Sequence, residues 1–225
     1  MLIKKTLTKP DLFLIAANIV PIIGAWFFDW DPRQIFMVYA LETVIIGFFT
    51  LVKMGIVTAI RKKDIWFNDG KSSQVSGIFF MLFFLVHYGF FVAIQMGLFV
   101  QVSGISNDFN TGFFDFFIHW PRYLGKDAYY MLAGFFISYG FNMIFNFVRP
   151  GYYRTVSLSL LMFQPYIRIF IQQLTVIIGS IFLVFGAGKI FIIVFALAKT
   201  FFEVFIDYDG ILKKSMAELA KKSGQ

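Results

Sequence analysis

The sequence predicts an all-α fold, a polytopic membrane helical bundle of about six transmembrane helices plus a short interfacial helix, built as a single domain over residues 1–225. Three observations carry that prediction. Of 225 residues, 59% are hydrophobic and only 15% charged, and the mean hydropathy is +0.74, too apolar for an ordinary soluble domain. Apolar runs of the ~20 residues needed to cross ~30 Å of hydrocarbon recur six times along the chain. Lys and Arg gather in the short connections between those runs and divide unequally between alternate connections.

The first span is expected from Leu12 to Phe28, with Asp11 as N-cap and Pro21 as a kink. Lys4, Lys5 and Lys9 precede it like a signal-peptide n-region, but the apolar run lacks a small-residue cleavage site and is read as a membrane helix. The second span runs from Gln34 to Ile60 behind Pro32, and the third from Val75 to Val102; both exceed the bilayer core, so tilt is expected. A fourth from Asp127 to Val148 stops at Arg149-Pro150-Gly151. The fifth and sixth, Pro165 to Phe185 and Lys189 to Ile206, meet at the tight Gly186-Ala187-Gly188 turn.

Two pieces fall outside this count. In Phe113 to Trp120 the residues Phe113, Phe116, Phe117 and Trp120 share one helical face, opposite Asp115 and His119, the pattern of a helix lying on the membrane surface. Val156 to Gln164 is too short to cross and is set off from the fifth span by Pro165, so a re-entrant or interfacial entry is expected. Ser103 to Gly112 reads as an external loop, and the Lys-rich tail from Asp207 as a short cytoplasmic helix or disordered segment.

Orientation follows from the basic residues. One side receives Lys4, Lys5 and Lys9, then Arg61, Lys62, Lys63 and Lys71, then Arg149 and Arg154, and last Lys213, Lys214, Lys221 and Lys222. The other receives only Arg33, Arg122, Lys126 and Lys189. The asymmetry places both termini in the cytoplasm of a multi-pass cell-membrane protein, with an even number of spans. The net charge of +7 is thereby assigned to topology, and no nucleic-acid partner is expected. The absence of cysteine excludes disulfides, thiolate metal sites and cysteine nucleophiles. No phosphate loop, GxGxxG or GxSxG is present, so neither nucleotide binding nor serine hydrolase chemistry is indicated, and no cofactor is implied.

Five ionisable residues inside the apolar runs stand out as site candidates: Glu42, His87, Arg168, Lys199 and Glu203. A charge at the centre of a bilayer costs at least ~2.5 kcal/mol on insertion scales, so such groups face a protein interior or a wet cavity and find partners there. Counted from the external helix ends at ~1.5 Å per residue, Glu42, Gln95 and Lys199 share an upper-to-middle layer. His87 and Gln172 lie near the middle, and Arg168 and Glu203 deeper. Arg168 with Glu203, on antiparallel neighbours, is the first expected pair, and Lys199 with Glu42 the next. The Arg168–Glu203 bridge can serve only to lock two helices together, and Glu42 can be a neutral carboxyl that donates one hydrogen bond. His87 reads as a packing residue, as a charge switch near neutral pH, or as a metal ligand beside Glu42 or Glu203; no HExxH or clustered-His pattern accompanies it. Ser138, Asn142, Asn146 and Gln173 either line the same cavity or join helices.

At Leu41-Glu42, His87-Tyr88-Gly89, Pro165-Tyr166-x-Arg168-Ile169 and Lys199-Thr200-x-x-Glu203 the chain resembles a family of small prokaryotic integral membrane proteins known only as a domain of unknown function. The resemblance covers the second to the sixth span. The family pattern often has a histidine where this chain has Gln172, which weakens a metal site here, and an aspartate where it has Glu203, which keeps the carboxylate. It implies membership but no reaction. The expected role is therefore transport or channel activity for a small polar solute, ion or proton, along Glu42, His87, Arg168, Gln172, Lys199 and Glu203. The alternatives are a membrane-embedded metal-binding protein or enzyme, and a structural or partner-binding subunit. The lipid bilayer is the expected partner in each case.

Overall fold

The computed structural model describes residues 7, 9–68, 71–102 and 119–206, together with 210, 214, 217 and 218. The external loop 103–112, the first part of the expected surface helix at 113–118, and most of the tail after Ile206 lie outside the described residues. Within them are six α-helices, α1 (Lys9–Phe27), α2 (Pro32–Ile60), α3 (Gly77–Val102), α4 (Lys126–Met143), α5 (Leu158–Val184) and α6 (Gly188–Thr200). A two-stranded antiparallel hairpin, β1 (Lys63–Asn68) and β2 (Lys71–Ser76), separates α2 from α3. Three helices, Pro32–Ile60, Gly77–Leu98 and Lys126–Val148, are long and apolar enough to cross a membrane, and Asp11–Phe27 of α1 and Leu158–Ile171 of α5 are shorter apolar helical stretches.

Local chemistry sets the helix ends. Asp31 caps α2 with its carboxylate accepting the Arg33 N–H at 2.9 Å, and Pro32 occupies the first turn, where its missing N–H costs nothing. Asp11, expected as the cap of α1, instead lies inside its first turn and is buried. The side-chain amide of Gln34 ties the start of α2 to the approach to α4, accepting from Gly125 N at 3.0 Å and donating to Tyr123 O at 2.8 Å. After Met143 the helix widens into a π-turn, Ile144–Val148, and ends where Gly151 takes a left-handed φ of 71°. A second π-turn, Phe201–Phe205, follows α6. The α5–α6 turn closes through Ala187 N donating to Phe182 O, with Gly186 at φ 72°.

Two expectations are corrected. Val156 to Gln164 is not a separate entry segment, because α5 starts at Leu158 and runs through Pro165 without a break. A proline forfeits one backbone bond, a loss that packed neighbours of a membrane helix can absorb. Val75 belongs to β2 rather than to α3, and the hairpin occupies what reads as a simple connection.

The hairpin is clamped to the start of α5. Asp64 accepts the Leu158 N–H at 2.7 Å, Ser159 Oγ donates to Ile65 O at 3.0 Å, and the Arg61 guanidinium donates to Val156 O. Trp66 packs edge-on against Phe79, Phe80 and Phe83 of α3. Asp64 thus shares the capping of α5 with Ser157, whose Oγ accepts the Leu160 N–H at 3.2 Å. Asp64→Ala is expected to cost about 0.5–2 kcal/mol, the range for a lost helix cap, read as a lower midpoint of thermal unfolding in detergent. An unchanged midpoint would show that the clamp carries no stability.

The second helix is the hub. It packs against α3, α4, α5 and α6, and 72% of its most apolar stretch is buried, against 28% in α3 and in α4. Around its first half Tyr39 meets the Phe195 ring edge-on at 4.5 Å and the Phe135 ring at 5.7 Å. Val86, Phe90, Ile137 and Leu197 point outward and are exposed, an apolar exterior suited to lipid.

Candidate functional site

Five helices converge on one buried polar chain. Glu42 on α2 is 0% exposed and Lys199 on α6 is 5% exposed, and Lys199 Nζ donates to Glu42 Oε1 at 2.9 Å. The same ammonium donates to Asn18 Oδ1 on α1 at 3.1 Å, and Asn18 Nδ2 donates in turn to Leu14 O. From α4, Tyr139 donates its hydroxyl hydrogen to Glu42 Oε1 at 2.8 Å. Arg168 on α5 approaches the Tyr139 oxygen at 3.5 Å, the long limit of a hydrogen bond, with its guanidinium carbon 5.9 Å from the Tyr139 ring centre. Lys199 Nζ also lies 5.1 Å from the centre of the Phe135 ring and 5.6 Å from that of Tyr39. Aromatic faces and fixed amide and hydroxyl dipoles replace part of the hydration that both charges give up on burial.

The structure brings Glu42 and Lys199 together and links Arg168 to them through Tyr139. His87 stands apart. It is on the exposed face of α3, between Phe83 and Phe91 with ring centres 5.2 Å away on each side, and its Nδ1 shares a 2.7 Å hydrogen bond with the Tyr166 hydroxyl. The side chains of Gln172 and Glu203 lie outside the described residues, and with them the expected Arg168–Glu203 pair. Gln95 on α3 is fully buried, and neither atom of its amide is hydrogen-bonded to a described residue. Among the described residues no three His, Asp or Glu side chains converge in a way that would hold a metal ion.

Three participants lie beyond the five candidates: Asn18 and Tyr139, which carry no charge, and Lys53, a charge inside the second span. Asn18 is an amide in an otherwise apolar run, a signal that was available; Tyr139 is one tyrosine among ten. Lys53 lies about 12 Å along the helix from Arg61 at ~1.5 Å per residue, close enough to the helix end to read as a snorkelling lysine.

Lys53 lines a small cavity below Tyr139. It measures about 40 Å³, and its polar walls are Thr50, Lys53, Tyr139, Asn142, Gln164 and Arg168. The polar chain therefore ends at a polar space. A larger cavity of about 620 Å³ opens between α2, α3 and α4, walled by apolar side chains such as Leu41, Val44, Val92, Met96 and Phe136. It touches none of the buried charges, and its chemistry suits a hydrocarbon chain rather than a polar solute.

An exposed contact fastens the bundle end where α1 turns into α2. Lys189 Nζ donates to Asp29 Oδ1 at 2.6 Å, joining that turn to the start of α6. This hydrogen bond, and then the lysine charge, hold the Asp29 carboxyl below the usual carboxylate range. The contact is complete above that range and is lost as pH falls through the lowered value.

No curated protein and no solved structure matches the chain. A family model matches residues 2–223, nearly the whole length. The chain therefore belongs to a family of unknown function, DUF6498.

Proposed function

We propose that this is a multi-pass cell-membrane protein of six spans with both termini cytoplasmic, which passes a small polar solute, ion or proton through its polar core. The observation that carries the reading is the hydrogen-bonded series Asn18–Lys199–Glu42–Tyr139–Arg168, which crosses five helices and ends at a polar cavity. Ionisable groups inside membrane helices most often mark such paths, because an insertion cost this large persists where the charge is used. Glu42 and Lys199 form the central exchangeable pair, Tyr139 relays between that pair and Arg168, and Arg168 faces the cavity.

The test is flux into proteoliposomes, followed with a pH-sensitive dye and with ion-selective probes for monovalent cations and anions. Wild-type protein is expected to move at least one of these. Tyr139→Phe keeps the Lys199–Glu42 pair and removes the relay, and is expected to lower the rate at least tenfold with a small change in thermal midpoint. Absence of flux for every probe with well-folded wild-type protein would overturn the reading. So would a Tyr139→Phe variant at full rate.

A further inference from the structure

We infer that the apolar cleft between α3 and α4 holds one acyl chain of a membrane phospholipid, whose phosphate sits at the cleft mouth beside Arg122 and Lys126; this rests on the membrane placement proposed above and not on the ion path. Both helices pack on α2, but among the described residues they form no packed interface with each other, so a strip of α2 is laid open between them. On that strip Val44 is 48% exposed although α2 is the hub of the bundle. The cavity of about 620 Å³ fills the end of the cleft nearer Trp120, and a second of about 240 Å³ continues it, the two sharing Val44 and Val92 as walls. On α4 the stripe Tyr129, Leu132, Ala133, Phe136 and Ile137 forms the facing wall.

Polarity, length and charge select the occupant. The two tyrosines in the walls already donate their hydroxyl hydrogens to backbone carbonyls, Tyr88 to Thr43 O at 2.8 Å and Tyr129 to Pro121 O at 2.9 Å, so the described lining offers a polar solute little beyond the Trp120 indole. The walls run along α2 from Leu41 to Leu51 and along α3 from Met96 back to Phe84, about 15–18 Å at ~1.5 Å per residue. That is the depth of one leaflet, half of the ~30 Å hydrocarbon core, whereas a transmembrane helix of a second copy would follow a groove about twice as long. At the mouth, Trp120 and Tyr129 stand at the level where lipid headgroups meet aromatic side chains. Trp120 opens the short helical turn Trp120–Tyr123, which carries the exposed Arg122, and the Tyr129 bond to Pro121 pins that turn to α4. At ~100° per residue the exposed Lys126 falls on the same side of α4 as the cleft stripe, while Asp127 falls on the opposite side. Among the described residues neither cation has a hydrogen-bond or ion-pair partner. A lipid phosphate supplies one to both while a tail of the same lipid enters the cleft.

The experiment strips lipid from purified full-length protein by detergent exchange and adds palmitoyl-oleoyl phosphatidylglycerol, following the thermal midpoint and, by native mass spectrometry, the lipid retained per chain. A saturable rise with one retained lipid is expected. Palmitoyl-oleoyl glycerol, with the same tails and no phosphate, should bind at least tenfold more weakly, and glycerol phosphate, a headgroup without tails, should give no response. Ala133→Phe puts a ring into the cleft and is expected to abolish lipid retention with little change in the lipid-free midpoint. Arg122→Gln/Lys126→Gln, at two exposed positions, is expected to weaken binding at least tenfold, to the level of the phosphate-free lipid. The inference is overturned by no saturable response to phosphatidylglycerol, by a response reproduced with glycerol phosphate, or by wild-type affinity in either variant. A monomer-to-dimer shift that Ala133→Phe abolishes would give the cleft to a second copy and overturn it equally. Wild-type protein that carries flux in proteoliposomes but retains no lipid removes the cleft site and leaves the ion path standing.

Discussion

Lys199→Met is expected to destabilise the folded protein by about 3–5 kcal/mol, the usual result of deleting one partner of a buried ion pair. Lys199 reaches Glu42 at 2.9 Å and Asn18 at 3.1 Å, while Glu42 is 0% exposed. Removing the ammonium keeps a fully buried carboxylate without the Lys199 charge paired to it. The double variant Glu42→Gln/Lys199→Met removes both charges and keeps an amide oxygen for the Tyr139 hydroxyl, so it is expected to recover most of the loss. Unfolding of the two single variants and the double variant in a double-mutant cycle measures the coupling directly. Strictly additive effects would show that the two residues do not act as a pair. The contrast separates packing from function: a core kept only for cohesion tolerates the double replacement in full, whereas an ion path regains stability and stays inactive.

The order of the helices was legible because their boundaries are written in residues with strong local preferences. Asp31-Pro32 opens α2, Arg149-Pro150-Gly151 follows α4, and Gly186 turns α5 into α6. The Glu42–Lys199 contact was legible as well, since depth counted along two helices places both side chains in one layer. Rotation about each helix axis was not. In a soluble helix the polar face marks the outside, but α3 is apolar on every side, so no stripe shows that His87 faces outward while Tyr88, its neighbour in sequence, is buried. Pro165 misled for a related reason: a rule calibrated in water overstates the break a proline makes between packed membrane helices. The hairpin has a signal in the sequence, Asp69-Gly70 between two short runs, but the basic residues of that connection report orientation rather than strand pairing.

Gly47 is the position where a single added methyl group is expected to disturb the frame around Glu42 most. A Cβ at Gly47 would stand 2.6 Å from Cε1 of Tyr88, a ring that is 4% exposed and packs against α2. From there the Tyr88 hydroxyl donates to Thr43 O at 2.8 Å, one turn earlier on α2 and next to Glu42. Gly47→Ala must push that ring away. It is expected to cost ~1–3 kcal/mol for overpacking, with up to a further ~1.5 kcal/mol if the hydrogen bond is lost. Helix propensity acts in the opposite direction, since alanine is favoured over glycine by ~1 kcal/mol. Gly89→Ala on α3 isolates that propensity term, because a Cβ there meets nothing within 4 Å. Gly89→Ala should therefore raise the thermal midpoint or leave it unchanged, while Gly47→Ala lowers it. Two variants moving the midpoint in the same direction would refute close approach of α2 and α3 at Gly47 as the reason for glycine there. Opposite shifts would locate the α2–α3 contact beside Glu42, so that the position of α3 and the environment of the buried carboxylate are set by one ring and one absent side chain.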